Sequence, residues 1–316
     1  MISVNEYPGG VLAVDSGLFR DRMACCYIVE HDSEAVIVEA GGHVGAERLL
    51  MVLQQRQIAP EDVRFVIVTH VHLDHAGGAG LLMEALPRAE LLVHPRGARH
   101  MVDPSKLEAG ARAVYGDEMY ERTYGHLLPV PVNRVREMGD GESVDWQGRR
   151  LRFIHTPGHA SHHFCIRDDQ TNGWFTGDTF GLSYRELDTD KGPFVFPTTT
   201  PIDFDPDALR HSIGRLLEAD PEWMYMTHYG RVGSPSELAP SLLEGVDYFE
   251  TIGLRFEHEK DRVERIREAM TAWLVEAARE HGVELEDQAL LELLVPDIEL
   301  NTAGIDVWLE RRAKKR

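Results

Sequence analysis

The chain has 316 residues, 43% hydrophobic and 27% charged, with 28 glycines and 16 prolines, ordinary globular usage that excludes collagenous and broadly disordered classes. Its 33 basic and 53 acidic side chains leave a net charge of −20, a field that repels phosphate backbones and anionic bilayers, and no stretch approaches the roughly 18 to 20 unbroken apolar residues of a membrane span. Cys25, Cys26 and Cys165 are too few and too oddly placed for a disulfide framework, and the opening MISVNEYPGG lacks the basic and apolar regions of a secretory leader, so a reducing cytoplasm is the expected location. Short apolar runs at Val11 to Val14, Ala24 to Val29 and Ala35 to Val38 read as antiparallel strands. Leu49, Leu50 and Leu53 place a helix over 46–56, and Phe65 to Val68 is a buried strand. A helix over 79–86, a strand over 90–93 and a polar, aromatic insertion of less definite form over 102–124 follow. Strand character returns at 148–154, 163–167 and 173–176, with turns at Asp140-Gly141 and Asn172-Gly173. After Met226 the pattern changes to amphipathic helices: Leu242, Val246, Phe249, Ile252 and Phe256, then Val263, Ile266, Met270 and Leu274. Gly282 and Pro296 punctuate them, Asn301 or Thr302 is expected to cap a last helix, and the basic run Arg311, Arg312, Lys314, Lys315, Arg316 reads as its solvated end.

Sixteen histidines are the compositional oddity, and their positions carry the functional reading. After the strand over 65–68 comes Thr69-His70-Val71-His72-Leu73-Asp74-His75-Ala76-Gly77-Gly78. Side chains two apart on an extended strand end share a side, so His70 and His72 reach one metal together. Asp74 and His75 then enter a turn that faces a second point, and the small residues after them let the backbone pass close by. One such histidine alone reads as a surface or core residue; four ligand-type residues in six positions read as a metal site. His159 in HTPGH, Asp178 in FTGDT and His228 in THYG each stand where a strand ends and a glycine-marked turn begins.

With these residues in view, the sequence resembles the metallo-β-lactamase superfamily, whose signature is THxHxDH followed by single His, Asp and His ligands in that order. All seven positions match, and the resemblance covers about residues 10 to 235. It implies a four-layer αββα sandwich with the metal site at one edge. It also implies that His70, His72 and His159 hold one ion, that Asp74, His75 and His228 hold the other, and that Asp178 bridges both. HTPGH and FTGDT are similar to segments of glyoxalase II and its relatives, whereas THYG resembles a broader group of hydrolases. The implied domains are a metallo-β-lactamase-like body over 1–235 and a helical extension over 236–316 that caps the active site, as in glyoxalase II and lactone-hydrolysing relatives.

The chemistry follows from the donors. Imidazole and carboxylate without thiolate suit Zn²⁺ and are compatible with Mn²⁺ or Fe²⁺. Two such ions turn a bound water into hydroxide near neutral pH and polarise a carbonyl or phosphoryl oxygen. The expected activity is hydrolysis of a small or medium-sized ester, thioester or lactone, with Asp74 and Asp178 as the catalytic carboxylates and Asp74 serving the leaving group. The alternatives are an iron sulfur dioxygenase with one metal at His70, His159 and Asp178, and a regulatory protein of the same fold with little turnover. An RNA-processing nuclease is disfavoured by the charge, and flavodiiron chemistry by His72, where that group carries Glu. A small-molecule substrate is expected, with no nucleic-acid or membrane partner; the apolar helical stripe is buried either on the body or in a homodimer. His162 and His163 are candidates for orienting a ligand or substrate, and Tyr184, Phe194 and Phe196 in the 181–201 loop are candidates to wall the pocket.

Overall fold

The early apolar runs pair as antiparallel strands in the structure, a computed structural model that describes residues 2–201 and 203–315. β1 (Val4–Tyr7), β2 (Val11–Asp15), β3 (Cys25–His31) and β4 (Glu34–Val38) lie side by side in that order. The parallel strands β5 (Val63–Ile67), β6 (Glu90–Val93) and β7 (Val135–Glu137) extend the same sheet. Parallel neighbours need a crossover. α1 (His43–Gln55) links β4 to β5, α2 (Leu73–Ala76) and α3 (Ala79–Ala85) link β5 to β6, and α4 (Pro95–Val102), α5 (Ser105–Tyr115) and α6 (Asp117–Thr123) link β6 to β7. The 102–124 insertion is therefore helical; Arg112, ion-paired to Glu108, Asp117 and Glu121, ties α5 to α6 where no long apolar stripe does so.

A second sheet holds β8 (Ser143–Trp146), β9 (Arg149–His155), β10 (Phe164–Asp168), β11 (Gly173–Gly177), β12 (Trp223–Met226) and β13 (Gly230–Gly233) in sequence order, antiparallel except for β11 and β12. Two cores fill this architecture. On one face of the first sheet Cys26, Ile28, Ile37 and Val66 meet Ala46, Leu49 and Leu53 of α1 and Leu82 of α3. On its other face Tyr27, Val36, Val38 and Ile67 meet Phe153, Phe164, Phe175 and Tyr225 of the second sheet. Because alternate residues of β3, β4 and β5 enter different cores, these strands read as continuous apolar runs. Tyr27 and Phe175 pack edge to face at 5.1 Å, a contact that ties the two sheets together.

The chain forms two compact units that interleave along the sequence. The first comprises the chain up to His155, His162–Gly177 and Pro221–Gly233, and so holds both sheets; the second comprises Thr156–Ser161, Asp178–Asp220 and the chain from Ser234 on. The second unit contains α7 (Pro206–Leu217), α8 (Pro235–Phe256), α9 (Arg262–His281) and α10 (Asp287–Lys315). Asp205 caps α7 by accepting a hydrogen bond from the Ala208 amide at 3.0 Å. Gly282 ends α9 at φ +96°, the left-handed stop that favours glycine.

The expected break at Pro296 and cap at Asn301 or Thr302 are not found. α10 runs unbroken through all three residues, because Asn301 turns its side chain away from its own helix to bond a neighbouring segment. Arg316 lies outside the described residues. Among the described residues no helix is long and apolar enough to cross a membrane.

Candidate metal centre

The first unit gathers its candidate donors where parallel strands end. β4 delivers Glu39, fully buried and at φ +67°, with its amide bonded to Ile67 O of β5 at 2.8 Å. Its carboxylate accepts hydrogen bonds from the Thr69 amide at 3.2 Å, the Thr69 hydroxyl at 2.5 Å, His75 Nδ1 at 3.0 Å and the Thr227 hydroxyl at 3.2 Å. One acid thus pins both ends of the Thr69-to-His75 segment and the residue before His228. Glu39 was not among the candidates read from the sequence; its signal is an acid followed by Ala40-Gly41-Gly42 at the end of an apolar strand. The approach to His70 also departs from the expected strand end: β5 stops at Ile67, and His72 precedes the short helix α2 that holds Asp74 and His75.

These bonds assign the imidazole protons. The single hydroxyl proton of Thr69 goes to Glu39, so at 3.1 Å from His70 the Thr69 oxygen accepts and His70 carries its proton on Nδ1. His75 donates Nδ1–H to Glu39, and His228 donates Nδ1–H to Met23 O at 2.9 Å. All three therefore turn an unprotonated Nε2 away from these partners. His75 Nε2 and His228 Nε2 lie 3.4 and 3.3 Å from Asp74 Oδ2, and the donor atoms of Asp74, His75 and His228 all fall within 4.8 Å of one another. His70 Nε2 meets His72 Nδ1 at 2.7 Å. Desolvation pushes the Asp74 carboxyl up; His75 and His228, when they carry a second proton on Nε2, outweigh it and hold the carboxyl well below the usual range.

The second unit holds the other two candidates. His159 donates Nδ1–H to Thr198 O at 3.3 Å and presents Nε2 at 3.2 Å from Asp178 Oδ2. Both are buried. The structure thus gathers His70, His72, Asp74, His75 and His228 in one unit and pairs His159 with Asp178 in the other. The donor chemistry fits divalent cations: buried imidazoles whose second nitrogen is fixed by a carboxylate, a hydroxyl or a main-chain carbonyl are how proteins orient metal-binding histidines. His94 is the contrast. At the end of β6 its Nδ1 accepts from the Arg96 amide at 3.1 Å, so its proton sits on Nε2, the opposite tautomer.

His162 and His163 lie beside the His70 imidazole, with ring centroids at 6.1 and 4.8 Å. Gly177, at φ +48°, makes room for this packing: a Cβ there would stand 2.4 Å from Thr69 Oγ1 and 2.6 Å from His163 Nε2. Tyr184, Phe194 and Phe196 are buried and pack on one another, with Phe194 also against His281 and Tyr184 bonded to Asp297.

The metallo-beta-lactamase superfamily profile matches residues 20–228, and the chain belongs to that superfamily. It is 33% identical over 174 residues to the metallo-beta-lactamase fold-containing protein ST1585 of Sulfurisphaera tokodaii, covering 53% of this chain and 61% of that one. The crystal structure of ST1585 aligns with a TM-score of 0.65 over 94% of this chain and 98% of the other, at 24% identity, which shows the fold. The fold is thus the αββα metallo-β-lactamase sandwich, followed here by a C-terminal helical region. An atrochrysone carboxyl ACP thioesterase of Pseudocercospora fijiensis is 24% identical over 61% of this chain and 48% of its own length. A hydroxyacylglutathione hydrolase of Aeromonas hydrophila is 25% identical over 44% of this chain and 40% of its own. The chain spans between two fifths and three fifths of the length of these curated relatives.

Proposed function

We propose that the protein is a dinuclear metal-dependent hydrolase of a small or medium-sized thioester, lactone or ester. In this reading His70, His72 and His159 hold one ion, Asp74, His75 and His228 the other, and Asp178 bridges them. The observation that carries it is the Asp74, His75 and His228 group, whose two imidazoles have Nδ1 committed to Glu39 and Met23 and so offer Nε2. A single-iron site of His70, His159 and Asp178 gives that group no role. Zn²⁺ is the metal that best suits an all-imidazole and carboxylate set, with Mn²⁺ and Fe²⁺ compatible.

Two divalent cations held there would supply Lewis acidity and would lower the pKa of a bound water to about 7. The chain's own residues do the rest. Glu39 fixes the segment that carries Thr69 to His75, so the donors are set before substrate arrives. Asp74 would take a proton from the attacking water and pass it to the departing oxygen or sulfur. The thioesterase and hydroxyacylglutathione hydrolase among the relatives support placing thioesters first in the substrate order.

The test is metal analysis of the purified, metal-loaded chain together with hydrolysis assays on thioester, lactone, aryl ester, β-lactam and phosphodiester substrates. We expect close to two ions per chain and turnover of an acyl substrate. A stoichiometry near one that excess metal does not raise, or oxygen uptake in place of hydrolysis, overturns the reading.

A further inference from the structure

The strongest unabsorbed feature is a buried polar edge on α10. Asp297, Asn301 and Gly304 follow one another at helical spacing. Asn301 is fully buried and spends its side chain on another segment: Oδ1 accepts from the Thr199 amide at 2.6 Å, and Nδ2 donates to Pro197 O at 3.4 Å. Its main-chain oxygen accepts from the Thr199 hydroxyl at 3.2 Å. Gly304 lets the helix come this close, since a Cβ there would lie 2.2 Å from Thr199 Oγ1 and 2.9 Å from Thr200 O. One turn before Asn301, Asp297 accepts from the Tyr184 hydroxyl at 3.0 Å.

The clasped segment, residues 197–200, in turn holds His159. Thr198 O accepts the His159 Nδ1 proton at 3.3 Å, and the Thr200 hydroxyl donates to His159 O at 3.0 Å. Phe196, just before it, exchanges two main-chain hydrogen bonds with Leu182, at 2.9 and 3.1 Å. Leu182 lies four residues after Asp178, in a turn closed by the bond from Gly181 N to Asp178 O at 3.1 Å. The strap and its helix therefore reach both of the second unit's candidate ligands.

We propose that Asn301 is a positioning residue for the metal centre: it fixes the 197–200 strap, which sets the ring of His159 and, through Leu182, the turn of Asp178. The inference rests on the reading of His159 and Asp178 as ligands. It gives the C-terminal helix a task in the centre although the helix supplies no metal donor.

The test uses the full chain loaded with Co²⁺ or Zn²⁺, with affinity read by chelator competition and the site by the Co²⁺ absorption spectrum. Wild type is measured first; failure to bind metal sinks the proposed function and this inference with it, before any variant is needed. Asn301→Leu, similar in size but unable to bond the strap, is expected to weaken binding about tenfold, the lower end for partners behind a ligand, and to alter the spectrum. Asn301→Asp keeps the acceptor for the Thr199 amide and is expected to stay within about threefold of wild type. Leu309→Ala, buried on the same helix away from the strap, is the control: it lowers thermal stability but leaves affinity and spectrum unchanged. Thr199→Val removes one clasp bond and serves if Asn301→Leu does not fold. Equal affinity losses in Asn301→Leu (or Thr199→Val) and Leu309→Ala, or wild-type binding in Asn301→Leu or Thr199→Val, overturn the proposal.

Discussion

His75 and His159 are held by the same chemistry over different distances. His75, in the short helix that follows β5, gives its Nδ1 proton to Glu39 at the end of β4, the strand beside β5. His159 gives its proton to a loop carbonyl, and that loop is tied down by Asn301 of α10, more than a hundred residues later. A histidine tied to a strand-end acid inherits rigidity from the sheet. A ligand in a turn has to borrow it, and here the lender is α10.

The sharpest way to break this comparison is at Asp178, the carboxylate proposed to bridge the two ions. Asp178→Ala is expected to bring turnover below detection, since no neighbour can replace a group reading both cations, whereas His163→Ala, which removes a ring packed on His70, is expected to cost about ten- to a hundredfold. Steady-state rates with metal content measured alongside decide it; equal losses contradict the roles assigned. Next comes Glu39→Gln, which turns an amide N–H toward the Thr69 amide while leaving the packing volume unchanged. Metal affinity is expected to fall about ten- to a hundredfold in a folded protein, and unchanged chelator competition would falsify the view that Glu39 sets the strand-end donors.

The smallest effect concerns a strand-end histidine outside the ligand set. In the folded protein His94 is pushed down to about 3, by burial first and then by His155, His162 and Arg96, with Asp140 pulling the other way. Unfolded, it titrates near 6.5. Below that pH the unfolded chain takes up a proton that the folded chain refuses, so stability present above about pH 6.5 is lost as pH falls toward 3, at up to about 1.4 kcal/mol per pH unit. His94→Asn keeps an acceptor for the Arg96 amide and removes the titration. Its urea midpoint is expected to decline less than wild type's between pH 6.5 and 4; parallel declines would show that the acid limb has another source.

What was legible in the sequence follows the same division. Central strands β3, β4 and β5 face a core on each side and so announce themselves as apolar runs. The four strands that escaped notice, β1, β7, β8 and β13, are the edges of the two sheets, where the exposed Asn5, Arg136 and Asp145 and the half-buried Arg231 interrupt the pattern. Among candidate site residues, Thr69 to His75 was readable because its donors are consecutive on the chain. Glu39 was hidden because a single acid after a strand carries no spacing, and Asn301 because its partner is known only once the chain has folded. Its position near Pro296 suggested a helix start; burial against Thr199 turned it to another use.

The order of synthesis gives the reach of α10 a further meaning. Asn301 is joined to the chain 142 residues after His159, which at about 5 to 20 residues per second is roughly 7 to 30 seconds. Asp74, His75 and His228 are all made, along with every strand of both sheets, before α8 begins. The newborn protein is then expected to order these groups at different moments, the sheet-borne donors first and the pair steadied by α10 only once that helix has been made. A chain cut short within α10 would carry every donor atom and still lack the part that holds two of them still.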